Sequence, residues 1–251
     1  MERILKNFIF AILVTVLSAT YSWSSVVYNN SASAQAFGTS IDYSINIIGS
    51  SGSVGCQVFL GFNGTATTGH HVTVNGVSAT LVPNSTANYG TVGTTVLADF
   101  SVALGNVTGL QAVHGDWATS EGMSSVTICS TGVDQITPTQ NGNNGHSTFS
   151  SGTTTLNVTS VSGNLPVEMT YDGTGHSLSL PNQTQRLLVN YSNVCSGSNT
   201  CVGASTGDGS GSATFHWNTT NGDDWVESGA DFVAAATTAP PKALGALGVG
   251  L

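Results

Sequence analysis

From about residue 24 onward the chain repeats one pattern. Short apolar or alternating runs recur every 10 to 15 residues, separated by Gly- and Asn-rich punctuation. Period-2 alternation with regular turn signals predicts an all-β fold of sandwich or barrel type. The runs place strands at Ser24–Tyr28, Ser40–Ile48, Gln57–Phe62, His71–Val74, Ala79–Val82, Val96–Ala103, Leu110–His114 and Ser125–Cys129. Further strands follow at Thr154–Val161, Pro166–Tyr171, Arg186–Tyr191, Ala213–Trp217 and Trp225–Ala235. Asn75-Gly76 sits between Val72-x-Val74 and Val77, and supplies the positive φ of a type I′ hairpin turn. Thr220-Asn221-Gly222-Asp223 carries the same signal between Trp217 and Trp225. Alternation sets Ala213, Phe215 and Trp217 on one face, and Ala230, Phe232 and Ala234 on another, as core. Thr137–Ser151 is polar but for Pro138 and Phe149, and reads as a long loop.

The first 24 residues differ. Arg3 and Lys6 precede an apolar run from Phe8 to Leu17, and small residues follow at Ser18, Ala19, Ser22 and Ser24. That order is the signature of a secretory signal peptide. The run is shorter than the roughly 20 residues of a membrane span. An uncut membrane anchor is the other reading. The expected organisation is a signal at 1–24, one β domain at 25–237 and a linker or tail at 238–251.

Charge supports an extracellular setting. The 251 residues include only 4 Lys and Arg, and charged residues make up 7%. Beyond the signal the cations are Arg186 and Lys242 alone. Neutralising a phosphate backbone takes clustered cations, so nucleic acid is excluded as a partner, and so is a polybasic membrane patch. The 39% hydrophobic content still provides a core. In an oxidising compartment four cysteines form two disulfides. Cys195 and Cys201 flank a short polar loop and are paired here, which leaves Cys56 with Cys129. The loop-entropy relation gives about 2 kcal/mol for the short bridge and about 4.5 kcal/mol for the long one. Two buried free thiols at 56 and 129 are the alternative. Sequons for N-glycosylation occur at Asn29, Asn63, Asn84, Asn106, Asn157, Asn182, Asn190 and Asn218.

Three stretches carry a resemblance. Gly132-Val133-Asp134-Gln135-Ile136-Thr137-Pro138 follows a strand. Gly203-Ala204-Ser205-Thr206 leads into Ala213-Thr214-Phe215-His216-Trp217. Asp223-Asp224-Trp225 then opens the last strand. Together with Val74–Val77 they resemble jelly-roll-like β-sandwich modules of bacterial and environmental secreted surface proteins, over roughly residues 25 to 237. The resemblance implies a jelly-roll-like antiparallel sandwich and no assigned activity. The cysteines are not part of the pattern.

Candidate chemistry is sparse. A glycosidase needs two carboxylates about 5 to 9.5 Å apart. Glu121, Glu168 and Glu227 are the only glutamates after the signal, and Glu168 and Asp172 along one strand stand about 13 Å apart. There is no Gly-x-Ser-x-Gly elbow and no His-Glu-x-x-His. His70 and His71 are adjacent and face opposite sides of a strand. No cofactor is expected. Calcium is the least implausible metal, with Asn141, Asn143, Asn221, Asp223 and Asp224 as loop oxygens. A sugar platform is conceivable at Trp117 beside His114 and Asp116, or at Tyr171. The segment Val26-Val27-Tyr28, freed by signal cleavage, offers a strand for exchange with a neighbour. The expectation is a secreted non-enzymatic structural or adhesive subunit, forming a homo-oligomer or filament. A carbohydrate-binding surface module that recognises glycans is the alternative.

Overall fold

The computed structural model describes residues 25–49, 52–63, 70–89, 95–146, 152–172, 178–179, 182–189, 201–219 and 225–236. Residues 25–235 form one compact unit. The expected signal and tail lie outside the described residues.

The first half of the chain gives β1 (Val27–Ile47), β2 (Val54–Asn63), β3 (His71–Val74), β4 (Val77–Ser78), β5 (Thr80–Leu81), β6 (Ala87–Tyr89), β7 (Thr95–Gly105) and β8 (Gly109–Thr131). The second half gives β9 (Thr139–His146), β10 (Leu156–Thr159), β11 (Leu165–Asp172), β12 (Leu178–Ser179), β13 (Thr184–Val189), β14 (Cys201–Thr206), β15 (Ser212–Phe215), β16 (Asn218–Thr219) and β17 (Trp225–Phe232). All pairings are antiparallel. The all-β expectation holds, but the main sheet is not a plain jelly-roll sandwich. It has eight strands, ordered β4-β3-β8-β2-β7-β5, with β1 on β8 and β6 on β7, and is nearly closed like a barrel.

The closure comes from a long ribbon. β1 and β8 pair from Val27↔Thr131 to Ile47↔Gly109, with irregularities at Tyr28/Asn30 and Gly38/Ser40. The two ends of β1 approach each other. The Asn29 amide donates to Ile48 O (2.8 Å) and accepts from Ile48 N (2.9 Å), and Asn30 Nδ2 donates to Asn46 O (2.8 Å). An asparagine amide thus stands in for a ladder partner along a strand edge. Edges are usually protected by charges, Lys above all, and β1 carries no charge before Asp42.

Alternation fills the barrel. Val54, Cys56, Val58, Leu60 and Phe62 of β2 meet Ile41, Ile45 and Ile47 of β1 inside it. Cys56 lies directly opposite Cys129, with Cα atoms 4.1 Å apart, and the two are disulfide-bonded. Asn75 (φ 51°) and Gly76 (φ 76°) form the expected turn between β3 and β4.

The second sheet runs β13-β14-β11-β17-β9. One face packs on the outside of the barrel: Val167, Met169, Tyr171, Val226 and Phe232 meet Phe59, Leu97, Val126 and Ile128. Arg186 joins the edges of the two sheets. Its guanidinium lies 4.0 Å from the Tyr28 ring centroid, and its Nε donates to Thr206 Oγ1 (2.8 Å). The other face is covered by the β10–β15 and β12–β16 pairs, with Leu156, Phe215 and Trp217 fully or nearly fully buried.

One further expectation is corrected here. The polar stretch read as a loop over Thr137–Ser151 contains β9, which pairs with β17 from Val226↔His146 to Phe232↔Thr139. Its outer edge is tied to β10, because Asn141 donates to Thr159 O (2.9 Å) and Asn143 to Asn157 O (2.7 Å). Those two asparagines, named above as possible loop oxygens for calcium, tie the two strands together through their side-chain amides. Asn221, Asp223 and Asp224 lie outside the described residues.

Candidate functional site

The Gly132–Pro138 motif builds a fixed loop on the surface. Gly132 has φ 76°, and Val133 is fully buried. Asp134 Oδ1 accepts from the backbone N–H groups of Ile136 and Thr137, both at 2.8 Å. The Gln135 amide donates to Val54 O (3.1 Å) and Val133 O (2.9 Å) and accepts from Gly105 N (2.6 Å). Ile136 is left 92% exposed. It borders an open groove of about 390 Å³, whose apolar wall includes Val77, Leu81, Val82, Pro83 and Pro138. None of the lining residues is charged or aromatic.

The second motif converges on a buried carboxylate. On β11, Glu168, Thr170 and Asp172 face the covering layer, opposite to Val167, Met169 and Tyr171. Glu168 Oε1 accepts from Trp217 Nε1 (2.8 Å), Ser205 Oγ and Gln183 Nε2 (3.4 Å), and Oε2 accepts from Thr170 Oγ1 (3.3 Å). Gly203 exists for this arrangement: a Cβ there would stand 2.8 Å from the Trp217 ring. Gly203→Ala is therefore expected to cost about 2 kcal/mol by overpacking. A urea titration followed by tryptophan fluorescence reads it, and an unchanged midpoint contradicts it.

Glu227 on β17 shares that face. The register sets Thr170 opposite Glu227 and Glu168 opposite Gly229. The two glutamates are diagonal neighbours, about 7 Å apart at Cβ. Both are fully buried. Burial pushes Glu168 up to about 7, against the pull of its four donors. Glu227 is raised well above the usual carboxylate range, first by burial and then by the charge of Glu168. The side chains of Thr154 and Thr170 act in the opposite direction, favouring ionisation, but less than burial and the Glu168 charge oppose it. Burial and that charge together favour the protonated form of Glu227. The pair is sealed beneath the covering layer. Asp231, on the same face, is also raised by burial and accepts from Ser160 Oγ (2.7 Å) and Asn164 Nδ2 (2.6 Å).

The expected sugar platform comes apart by strand alternation. Trp117 is 4% exposed and stacks inside the barrel on Phe62, ring centroids 6.0 Å apart. Tyr171 is fully buried between the sheets. Neither ring has a face to give a sugar. His114 and Asp116 lie on the outer surface. His114 Nδ1 is 2.7 Å from Asp42 Oδ1, and its Nε2 is 3.3 Å from Asp116 Oδ2. These hydrogen bonds raise the His114 pKa, the one with Asp42 most. His71 Nδ1 lies 3.5 Å from the same Asp116 oxygen, while His70 packs on Phe62 with centroids 4.7 Å apart. The adjacent histidines diverge as expected.

The segment Val26-Val27-Tyr28 belongs to its own chain's sheet. Val27 and Tyr28 pair with Thr131 and Ser130, and buried Val26 donates its N–H to Gly163 O at 2.8 Å. Among the sequon asparagines, Asn84, Asn106, Asn157, Asn182 and Asn218 are exposed, and Asn29 is half-buried in its pairing with Ile48. The Asn63 side chain and Asn190 lie outside the described residues. Cys201 is disulfide-bonded, and Cys195 lies outside the described residues.

Fold and chemistry together define an all-β, antiparallel, disulfide-bonded protein, and the disulfide points to an oxidising compartment. No protein-family model matches the chain, and no curated protein matches it.

Proposed function

We propose that this chain is a secreted, non-enzymatic subunit of an extracellular filament, coat or surface layer, in the manner of the jelly-roll-like surface modules its motifs resemble. The observation that carries the proposal is Ile136 beside its groove. A large aliphatic side chain on a loop pinned by hydrogen bonds loses little conformational freedom on docking, so most of the gain from burying it is kept. An uncharged, non-aromatic groove suits an aliphatic side chain of another copy better than a charged ligand or a stacked pyranose. Assembly by surface docking also leaves β1 paired with its own β8. Carbohydrate binding, the alternative, has less support because Trp117 lies inside the barrel.

Burying Ile136 is worth about 2 kcal/mol, or about thirtyfold in dissociation constant. Ile136→Asp is expected to shift the assembly toward monomer by at least that factor while leaving the melting temperature of the dilute monomer unchanged. Sedimentation velocity over a concentration series reads both chains. An assembly unaffected by the substitution rules out this face.

A further inference from the structure

A carboxylate sealed from solvent can act only on groups of its own chain, and Glu168 has two such groups in reach. Ser205, fully buried on β14, donates a short hydrogen bond to Glu168 Oε1. The Gln183 side-chain amide, just before β13, lies 2.7 Å from Ser205 Oγ through Nε2 and 3.4 Å from Glu168 Oε1 through the same nitrogen. Its carbonyl oxygen accepts the His216 backbone N–H at 3.2 Å. A hydroxyl, a base hydrogen-bonded to it, an amide beside it and a donor on the amide oxygen are the four parts of an acyl transfer.

We propose that Ser205 and Gln183 become joined by an intramolecular ester, formed by the protein itself with release of ammonia. The terminal torsion of glutamine is broad and soft, so the amide turns its carbonyl carbon toward Ser205 Oγ at small cost. The Ser205 proton passes to Glu168 Oε1 as the Oγ–Cδ bond forms. The His216 N–H stabilises the oxyanion. The proton then moves from Glu168 to Nε2, the Cδ–Nε2 bond breaks, and ammonia leaves. Atoms and charge balance, and no co-reactant is needed. Burial sets Glu168 at about 7, where a general base works best near neutral pH. Burial and the neighbouring Glu168 charge both favour the protonated form of Glu227. The link ties β14 to the start of β13 by a covalent bond, independently of whether the chain assembles.

The sequence provides a direct test. Arg186 is the only Lys or Arg between Gln183 and Ser205. The reduced, unfolded wild-type chain is digested with trypsin under mildly acidic conditions and weighed. The expected result is that the fragment of residues 187–242 stays bonded to the fragment ending at Arg186, with a joint mass one ammonia short. Hydroxylamine should release it. Ser205→Ala and Glu168→Gln should each yield separate fragments of full mass. Separate, full-mass fragments from the wild type overturn the proposal, whether or not either variant folds. So does an ammonia loss that maps elsewhere, such as to Asn75-Gly76.

Discussion

Stability is expected to fall as pH rises from about 4 to about 8, and Glu227→Gln is expected to remove part of that fall. Glu168, Glu227, Asp99 and Asp231 all have carboxyls raised by burial in the folded chain. Below the unfolded value of about 4 both states are protonated, and the full stability is present. As pH rises, the unfolded chain releases its protons first. Each group then costs about 1.4 kcal/mol per pH unit until its folded pKa is passed. For Glu168, raised to about 7, the total loss is about 3 kcal/mol. The raised pKa of exposed His114 acts in the same direction: its contribution is present in mild acid and is lost as pH rises through the folded value. Glutamine at 227 keeps the shape of the neutral acid and never ionises in the unfolded chain. It also removes the charge coupling to Glu168. The variant should be stabilised relative to the wild type at pH 8 and be almost unchanged at pH 4. Urea midpoints across that range decide it. A wild-type midpoint that climbs with pH contradicts the assignment of neutral buried acids.

Removing the Cys56–Cys129 bridge is expected to have the largest effect of any substitution. The bond closes a 73-residue separation in sequence that contains most of the barrel. Constraint of the unfolded chain by such a loop is worth about 4.5 kcal/mol. In a chain of this size that corresponds to about 12 °C in melting temperature. Alanine at both positions is the right replacement, since both sulfurs are fully buried and serine would strand two hydroxyls. Burial also means that reductant should act on the folded protein only at the rate at which it opens. A double variant melting within a few degrees of the wild type contradicts this weight for the bridge.

Much of the fold was legible because its signals are local. The Asn75-Gly76 turn, the inward face of β2 and the core positions Phe215, Trp217 and Phe232 all follow from period-2 alternation and one turn dipeptide. What local pattern could not show is how far strands extend through polar sequence. The Asn-, Ser- and Ala-rich stretch of β1 between Tyr28 and Ser40 and all of β9 carry little hydrophobic signal, and are held by register and asparagine side chains instead. β14 was missed because Gly203-Ala204-Ser205 is small, although it is buried throughout. The Glu168–Glu227 pair was missed for a geometric reason. Distances along one strand were considered for Glu168, while its partner comes from the neighbouring strand. Trp117 illustrates the converse error: adjacency to Asp116 in sequence put it on the opposite face.

Assembly is the central claim, and the size of the native protein tests it most directly. Light scattering with negative-stain microscopy, across a hundredfold dilution, is predicted to find ordered multimers that shrink in Ile136→Asp. A monomer at every concentration, with groove and Ile136 bare, would contradict the role of subunit.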